Sequence, residues 1–154
     1  STRLLNRDHH EVYHAGVPAG PGGELLRRHG DQFERLGGGY CRTLGRVDDT
    51  MNLGGIKVSS AEIERTVGTL PGLKECAAVA VPPPGGGPSL LFLFVVPGPG
   101  EQNDPEALRL ILQKRIAEHL NPLFKVQRVV VLDALPRTAS NKVMRRVLRD
   151  RLEA

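Results

Sequence analysis

Tryptophan is absent and aromatic residues make up 4% of the 154 residues. So few ring faces exclude the stacking platforms that hold single-stranded nucleic acid. Cysteine is scarce. Cys41 and Cys76 are far apart and match no metal-ligand spacing, and two isolated thiols suit a reducing compartment. Long hydrophobic runs are missing too: the longest unbroken one, Leu90 to Val96, is far shorter than the roughly 20 residues that span a bilayer. Neither G-x-G-x-x-G nor G-x-x-x-x-G-K-[ST] occurs, so the chain carries no self-contained nucleotide fingerprint. The start, Ser1-Thr2-Arg3, lacks both an initiator methionine and the shape of a signal peptide, as expected of a piece cut from a longer protein. No metal site is expected, because the histidines His9, His10 and His14 have no carboxylate or cysteine cluster to complete a ligand set.

What is present is ordinary for a globular protein: 40% hydrophobic and 25% charged residues, enough to build a core. Net charge is +4, and the basic residues gather near the C-terminus. Between Arg137 and Arg151, six basic residues (Arg137, Lys142, Arg145, Arg146, Arg149 and Arg151) face one acid, Asp150. A solvated helix face explains that run, and no nucleic-acid partner is expected from it.

Residues 1–30 are broken by Gly16, Pro18, Gly20, Pro21, Gly22 and Gly23 and read as loop with short extended pieces. A hairpin follows, turned at Gly37-Gly38-Gly39, with Tyr40–Leu44 as its second strand. Met51–Leu53 and Ile56–Val58 flank Gly54-Gly55 in a second hairpin. Ser59-x-x-Glu62 is a capping box that opens a helix with Ile63, Val67 and Leu70 on its apolar face, ended by Pro71-Gly72. Cys76–Val81 and Leu90–Val96 read as apolar strands, the second buried on both faces. Asp104 caps a helix with Pro105 in its first turn and Leu108, Ile111, Leu112 and Ile116 along one stripe. His119 near its end reads as a dipole-complementing residue. Val126–Leu132 is a third strand. Leu135–Asn141 is a polar loop, flexible enough to present one ammonium. Lys142–Leu152 is a short basic helix, with Val143, Met144, Val147 and Leu148 expected inward. The fold class is α+β: a small, mostly antiparallel three-stranded sheet with helices packed on one side of it, preceded by a hairpin-rich tail of a larger domain.

Two places stand out chemically. Asp31, Arg46 and Asp48 cluster around the first hairpin, where a carboxylate suits vicinal hydroxyls and a guanidinium suits phosphate or hydroxyl oxygens; a surface ion pair is the plainer explanation. Lys142 ends a loop without bulky anchors and could meet a developing negative charge; a solvated cation is the plainer explanation there.

Gly45–Glu64 and Leu135–Arg149 together resemble two signature motifs of the adenylate-forming superfamily, which includes acyl-CoA synthetases, adenylation domains of peptide synthetases, and luciferases. The resemblance runs from about residue 25 to the end and looks closest to the acetyl-CoA-synthetase-like acyl-activating enzymes. It implies that residues 1–47 are the tail of a large N-terminal domain and that residues 48–154 are a mobile C-terminal lid. By the same resemblance, Asp31 binds the ribose hydroxyls of ATP or AMP. His29 stands in place of a threonine, a change expected to leave that carboxylate untouched. Arg46 contacts the nucleotide's ribose and phosphate side, and Asp48 is the hinge. Gly54 and Gly55 line the tunnel for coenzyme A, with Lys57 a basic residue beside it. Lys142 contacts the carboxylate and α-phosphate during adenylation, with Asn141 where the family loop has glycine; Asn tolerates left-handed backbone nearly as well.

The implied reaction has two steps. A carboxylate attacks the α-phosphate of ATP, with Mg²⁺ assisting, to give acyl-adenylate and pyrophosphate; the lid then rotates and CoA displaces AMP. The phosphate loop, the acyl pocket and most of the Mg²⁺ and ATP contacts belong to the N-terminal domain, so this chain alone is expected to be inactive. The rival is a non-catalytic interaction module with the same fold. The expected compartment is the cytoplasm, with the peroxisome as the alternative.

Overall fold

Two consecutive strands of this chain are apolar at almost every position, and that decides the architecture. The computed structural model describes residues 4–46, 49–101 and 104–153. The elements in chain order are α1 (His9–Tyr13), β1 (Asp31–Arg35), β2 (Cys41–Arg46), β3 (Thr50–Leu53), β4 (Ile56–Ser59), α2 (Ser60–Val67), β5 (Leu73–Val81), β6 (Leu90–Pro97), α3 (Pro105–His119), β7 (Val126–Val131) and α4 (Arg145–Glu153). They form two hairpins, β1-β2 and β3-β4, and a three-stranded sheet in the order β5-β6-β7.

The longer ladder of the sheet, β5 with β6, is antiparallel, whereas β6 pairs with β7 in parallel. The parallel pairing follows from the connection: α3 lies between β6 and β7 in sequence and carries the chain back to the starting edge, as parallel neighbours require. The α+β expectation therefore holds, with one parallel ladder within a mainly antiparallel set.

Helices cover both faces of the sheet, not one. Ala78, Leu91, Leu93 and Val95 pack with Ile63 and Val67 of α2 and Leu112 and Ile116 of α3. The alternate positions Ala77, Val79, Phe94 and Val96 pack with Leu135 and Leu148, the latter on α4. Successive strand residues point to opposite faces, so β5 and β6 would each leave an apolar row in water if α4 did not cover it. Each large aliphatic side chain buried here contributes about 1.5–3 kcal/mol.

The helix starts follow the sequence closely. Ser59 Oγ accepts from Glu62 N at 3.2 Å, and Asp104 accepts from Glu106 N and Ala107 N, so each cap satisfies orphan donors of a first turn. Three expectations fail locally. Residues 9–13 form a short helix, capped by Asp8 through Glu11 N, within the stretch expected to be loop. Met144 is exposed. And α4 begins at Arg145, because Asn141 has φ 63° and Arg137 bridges Val143 in antiparallel fashion; neither is compatible with helix at Lys142.

Candidate functional site

Leu53 pairs with Ile56 across a two-residue loop, so Gly54 and Gly55 must both take positive φ, at 58° and 84°. This is the geometry that matches strand twist in a tight hairpin. The two glycines are not equivalent. A Cβ on Gly54 would sit 3.1 Å from Leu123 Cβ and 3.2 Å from Leu123 O, whereas one on Gly55 would meet nothing. Gly54 thus keeps a close approach to the 121–124 segment, and Gly55 leaves open space above the turn. Lys57 is exposed on β4, opposite Asn52.

The lysine turn is tied down rather than loose. Lys142 N donates to Thr138 Oγ1 at 3.1 Å, Thr138 N donates to Lys142 O at 2.9 Å, and Asn141 N donates to Thr138 O at 2.9 Å. Arg137 donates to Asn141 O at 2.8 Å and to Glu75 of β5 at 2.6 Å. The expected flexible loop is therefore a small hydrogen-bonded turn. Asn141 is the one non-glycine at positive φ among the described residues, which is how this chain does without the family's glycine. The Lys142 side chain is exposed, and its ammonium has no ion-pair partner among the described residues.

Asp31 and Arg46 face one another in the β1-β2 ladder, so the backbone places side by side the two residues expected to meet a nucleotide. His29 does not leave Asp31 alone: His29 Nδ1 stands 2.8 Å from Asp31 Oδ2. Unlike threonine, the imidazole is long enough to reach the carboxylate two residues on, and any diol at Asp31 has to share it. Asp48, the expected hinge, lies outside the described residues. Asp31, the glycine turn and Lys142 stand on three separate elements.

One group went unread in the sequence. Arg145 Nη2 donates to both carboxylate oxygens of Glu64, at 2.7 and 2.9 Å, and Arg145 Nη1 lies 3.5 Å from Asp49 Oδ2. Glu64 Oε1 also accepts from Ala78 N of β5 at 2.8 Å. Burial raises the Glu64 pKa, while the Arg145 guanidinium and the Ala78 N–H pull it back down. Arg145 Nε is buried with no partner among the described residues. Beside the pair, a cleft of about 210 Å³ opens between Thr50, Ala80, Ser89 and Arg149. The signal was available: Ser60, Glu64 and Val67 share one helix face, so a carboxylate there needs a cation. Its partner, 81 residues away, had looked like one more solvated arginine.

Among the described residues no three histidine, cysteine or acidic side chains converge. The described residues therefore offer no such donor set for Mg²⁺. No described helix is long and apolar enough to cross a membrane.

The described residues thus hold two fixed turns, one closing the β3-β4 hairpin and one following the three-stranded sheet, and a separate hairpin whose ladder pairs Asp31 with Arg46. The chain belongs to the AMP-binding enzyme C-terminal domain family, whose profile matches residues 62–142, more than half of it. It is 53% identical over 155 residues to probable acyl-activating enzyme 17, peroxisomal, of Arabidopsis thaliana, covering 99% of this chain and 21% of that protein. It is 52% identical over 152 residues to hexanoyl-CoA synthase of Cannabis sativa, covering 97% of this chain and 21% of that protein. The fold superposes on ATP-bound MatB from Rhodopseudomonas palustris with a TM-score of 0.71 at 27% identity, over 88% of this chain and 25% of that one. The chain thus spans about a fifth of the length of the curated relatives it matches.

Proposed function

We propose that this chain is the lid of an ATP-dependent acyl-CoA ligase, with residues 1–47 completing a larger N-terminal domain and residues 48–154 forming the moving part. The observation that carries this is the presence, on one fixed turn, of a Lys142 ammonium with no ion-pair partner among the described residues, together with a second fixed turn at Gly54–Gly55. In the first half-reaction Lys142 neutralises charge on the carboxylate and α-phosphate as the acyl-adenylate forms and pyrophosphate leaves. Asp31 and Arg46 hold the ribose side of the nucleotide. The lid then turns at Asp48, withdrawing Lys142 and bringing Gly54, Gly55 and Lys57 to the path of CoA, whose thiolate displaces AMP. The acid belongs to the acyl class named in the relatives, and the peroxisome named for one of them is an alternative to the cytoplasm for this protein.

The full-length protein carrying this chain, given ATP, CoA and a series of carboxylates, is expected to release AMP and pyrophosphate and form acyl-CoA. Residues 1–154 alone are expected to form none. Turnover by 1–154 alone would overturn the assignment of the chain as a lid that needs an N-terminal domain, and a full-length protein that binds a partner and activates no acid would favour the interaction module.

A further inference from the structure

The turn that carries Lys142 needs more than internal hydrogen bonds, because those fix its shape and not its aim. Two arginines flank it. Arg137 ties the turn to its nearest strand, through Glu75 of β5. Arg145, three residues past Lys142, reaches much further. Its Nη2 donates to both carboxylate oxygens of Glu64 on α2, and its Nη1 lies 3.5 Å from Asp49, 96 residues away in sequence. Glu64 in turn holds the backbone of β5 at Ala78. One guanidinium therefore links the start of α4, the middle of α2, the sheet, and Asp49 just before β3.

The pair is a poor candidate for simple stabilisation. The charges are mostly buried, at 19% and 20% exposure, and pairs of this kind are often no more stabilising than apolar residues of the same volume. Arg145 Nε is left without a partner besides. What the guanidinium does supply is direction: Nη2 is held by both Glu64 oxygens while Nη1 lies 3.5 Å from Asp49 Oδ2, so the plane of the group is set from two sides.

We propose that Arg145 is a positioning residue for adenylation: by gripping Glu64 and Asp49 together, it fixes where the Lys142 ammonium stands when the lid is closed over ATP. This rests on the assignment of Lys142 to adenylation made above. The Arg145 guanidinium is engaged by Glu64 and Asp49. Its effect comes through the start of α4, and a misplacement of about 1 Å in a reacting group costs on the order of a hundredfold in rate.

The test uses the full-length protein and measures the two half-reactions separately: pyrophosphate exchange for adenylation, and acyl-CoA formation from preformed acyl-adenylate. Arg145→Ala is expected to lower the maximal exchange rate about a hundredfold with the KM for ATP held, and to leave acyl-CoA formation from adenylate little changed. Arg145→Lys, which keeps the charge and loses the fork, is expected to fall between. Because Arg145→Ala strands Glu64, the double variant Glu64→Leu with Arg145→Leu is made beside it; an apolar pair restores the packing, and exchange is expected to stay low. Equal loss of both half-reactions in Arg145→Ala, in step with the fraction unfolded, would overturn the inference. So would a well-folded double variant that exchanges pyrophosphate like wild type. Lys142→Ala is the control: unimpaired exchange in that variant would remove the reading of Lys142 itself, whereas a dead Lys142→Ala beside a fully active Arg145→Ala removes only the role given to Arg145.

Discussion

The glycine turn at Gly54–Gly55 and the lysine turn at Thr138–Lys142 both reverse the chain through left-handed backbone, yet they are held in different ways. The first is fixed by strand pairing alone, with Leu53 opposite Ile56 and two residues that need no side chain. The second is fixed by side chains: Thr138 Oγ1, Arg137 and the left-handed Asn141. A turn held by its backbone leaves a bare surface, suited to a thin ligand passing close by. A turn held by side chains can be aimed, suited to presenting a single charge.

Breaking the charge should do most. Lys142→Ala is expected to lower pyrophosphate exchange by about 10²–10³-fold while leaving the melting temperature unchanged, since the side chain is exposed; a calorimetric scan beside the exchange assay checks both.

Breaking the support of the lysine turn comes next. Glu64→Ala leaves Arg145 without its main acceptor and is expected to cost about 3 kcal/mol, or roughly 6–12 °C in melting temperature. The gap between wild type and Glu64→Ala should also depend on pH. Burial places the folded Glu64 pKa above its ordinary value of 4.5. The carboxyl therefore takes up protons on folding, and its contribution is fully present below 4.5 and is lost as pH rises through the folded value. Denaturant midpoints at acid and neutral pH should show the gap narrowing upward; a gap that widens with pH would contradict the burial argument.

The glycine turn gives a smaller and graded effect. Gly54→Ala meets the Leu123 backbone as well as positive-φ strain and should destabilise by about 2 kcal/mol. Gly55→Ala meets strain alone and should cost about 1 kcal/mol. Equal losses would mean that the Leu123 contact carries nothing. The smallest effect belongs to Asn141→Gly, expected within about 0.5 kcal/mol, because asparagine already holds the left-handed geometry that glycine would.

Much of this was readable from local chemistry. Ser59 and Asp104 announced their helices because a cap needs one side-chain oxygen beside free N–H groups. Gly54–Gly55 announced a hairpin because few residues accept positive φ twice. The apolar run of Leu90–Val96 pointed to burial on both faces, although its consequence, a helix on each side of the sheet, was missed. What stayed hidden depended on distance along the chain. The Glu64–Arg145 pair joins residues 81 apart, and no periodicity reports it. The reach of His29 to Asp31 depends on the length of the imidazole side chain, which alignment with a threonine position does not convey. Helix α4 starts three residues later than its basic, helix-favouring run suggests, because that run gives no sign of the Arg137–Val143 bridge.

The central claim is that the two turns serve different half-reactions of one ligase. It is tested most directly by supplying preformed acyl-adenylate and CoA to full-length Lys142→Ala and Gly55→Leu proteins. The account predicts acyl-CoA formation near the wild-type rate for Lys142→Ala, and little for Gly55→Leu, whose side chain enters the open space above the turn and which should still exchange pyrophosphate. Parallel loss of both half-reactions in both proteins would contradict it.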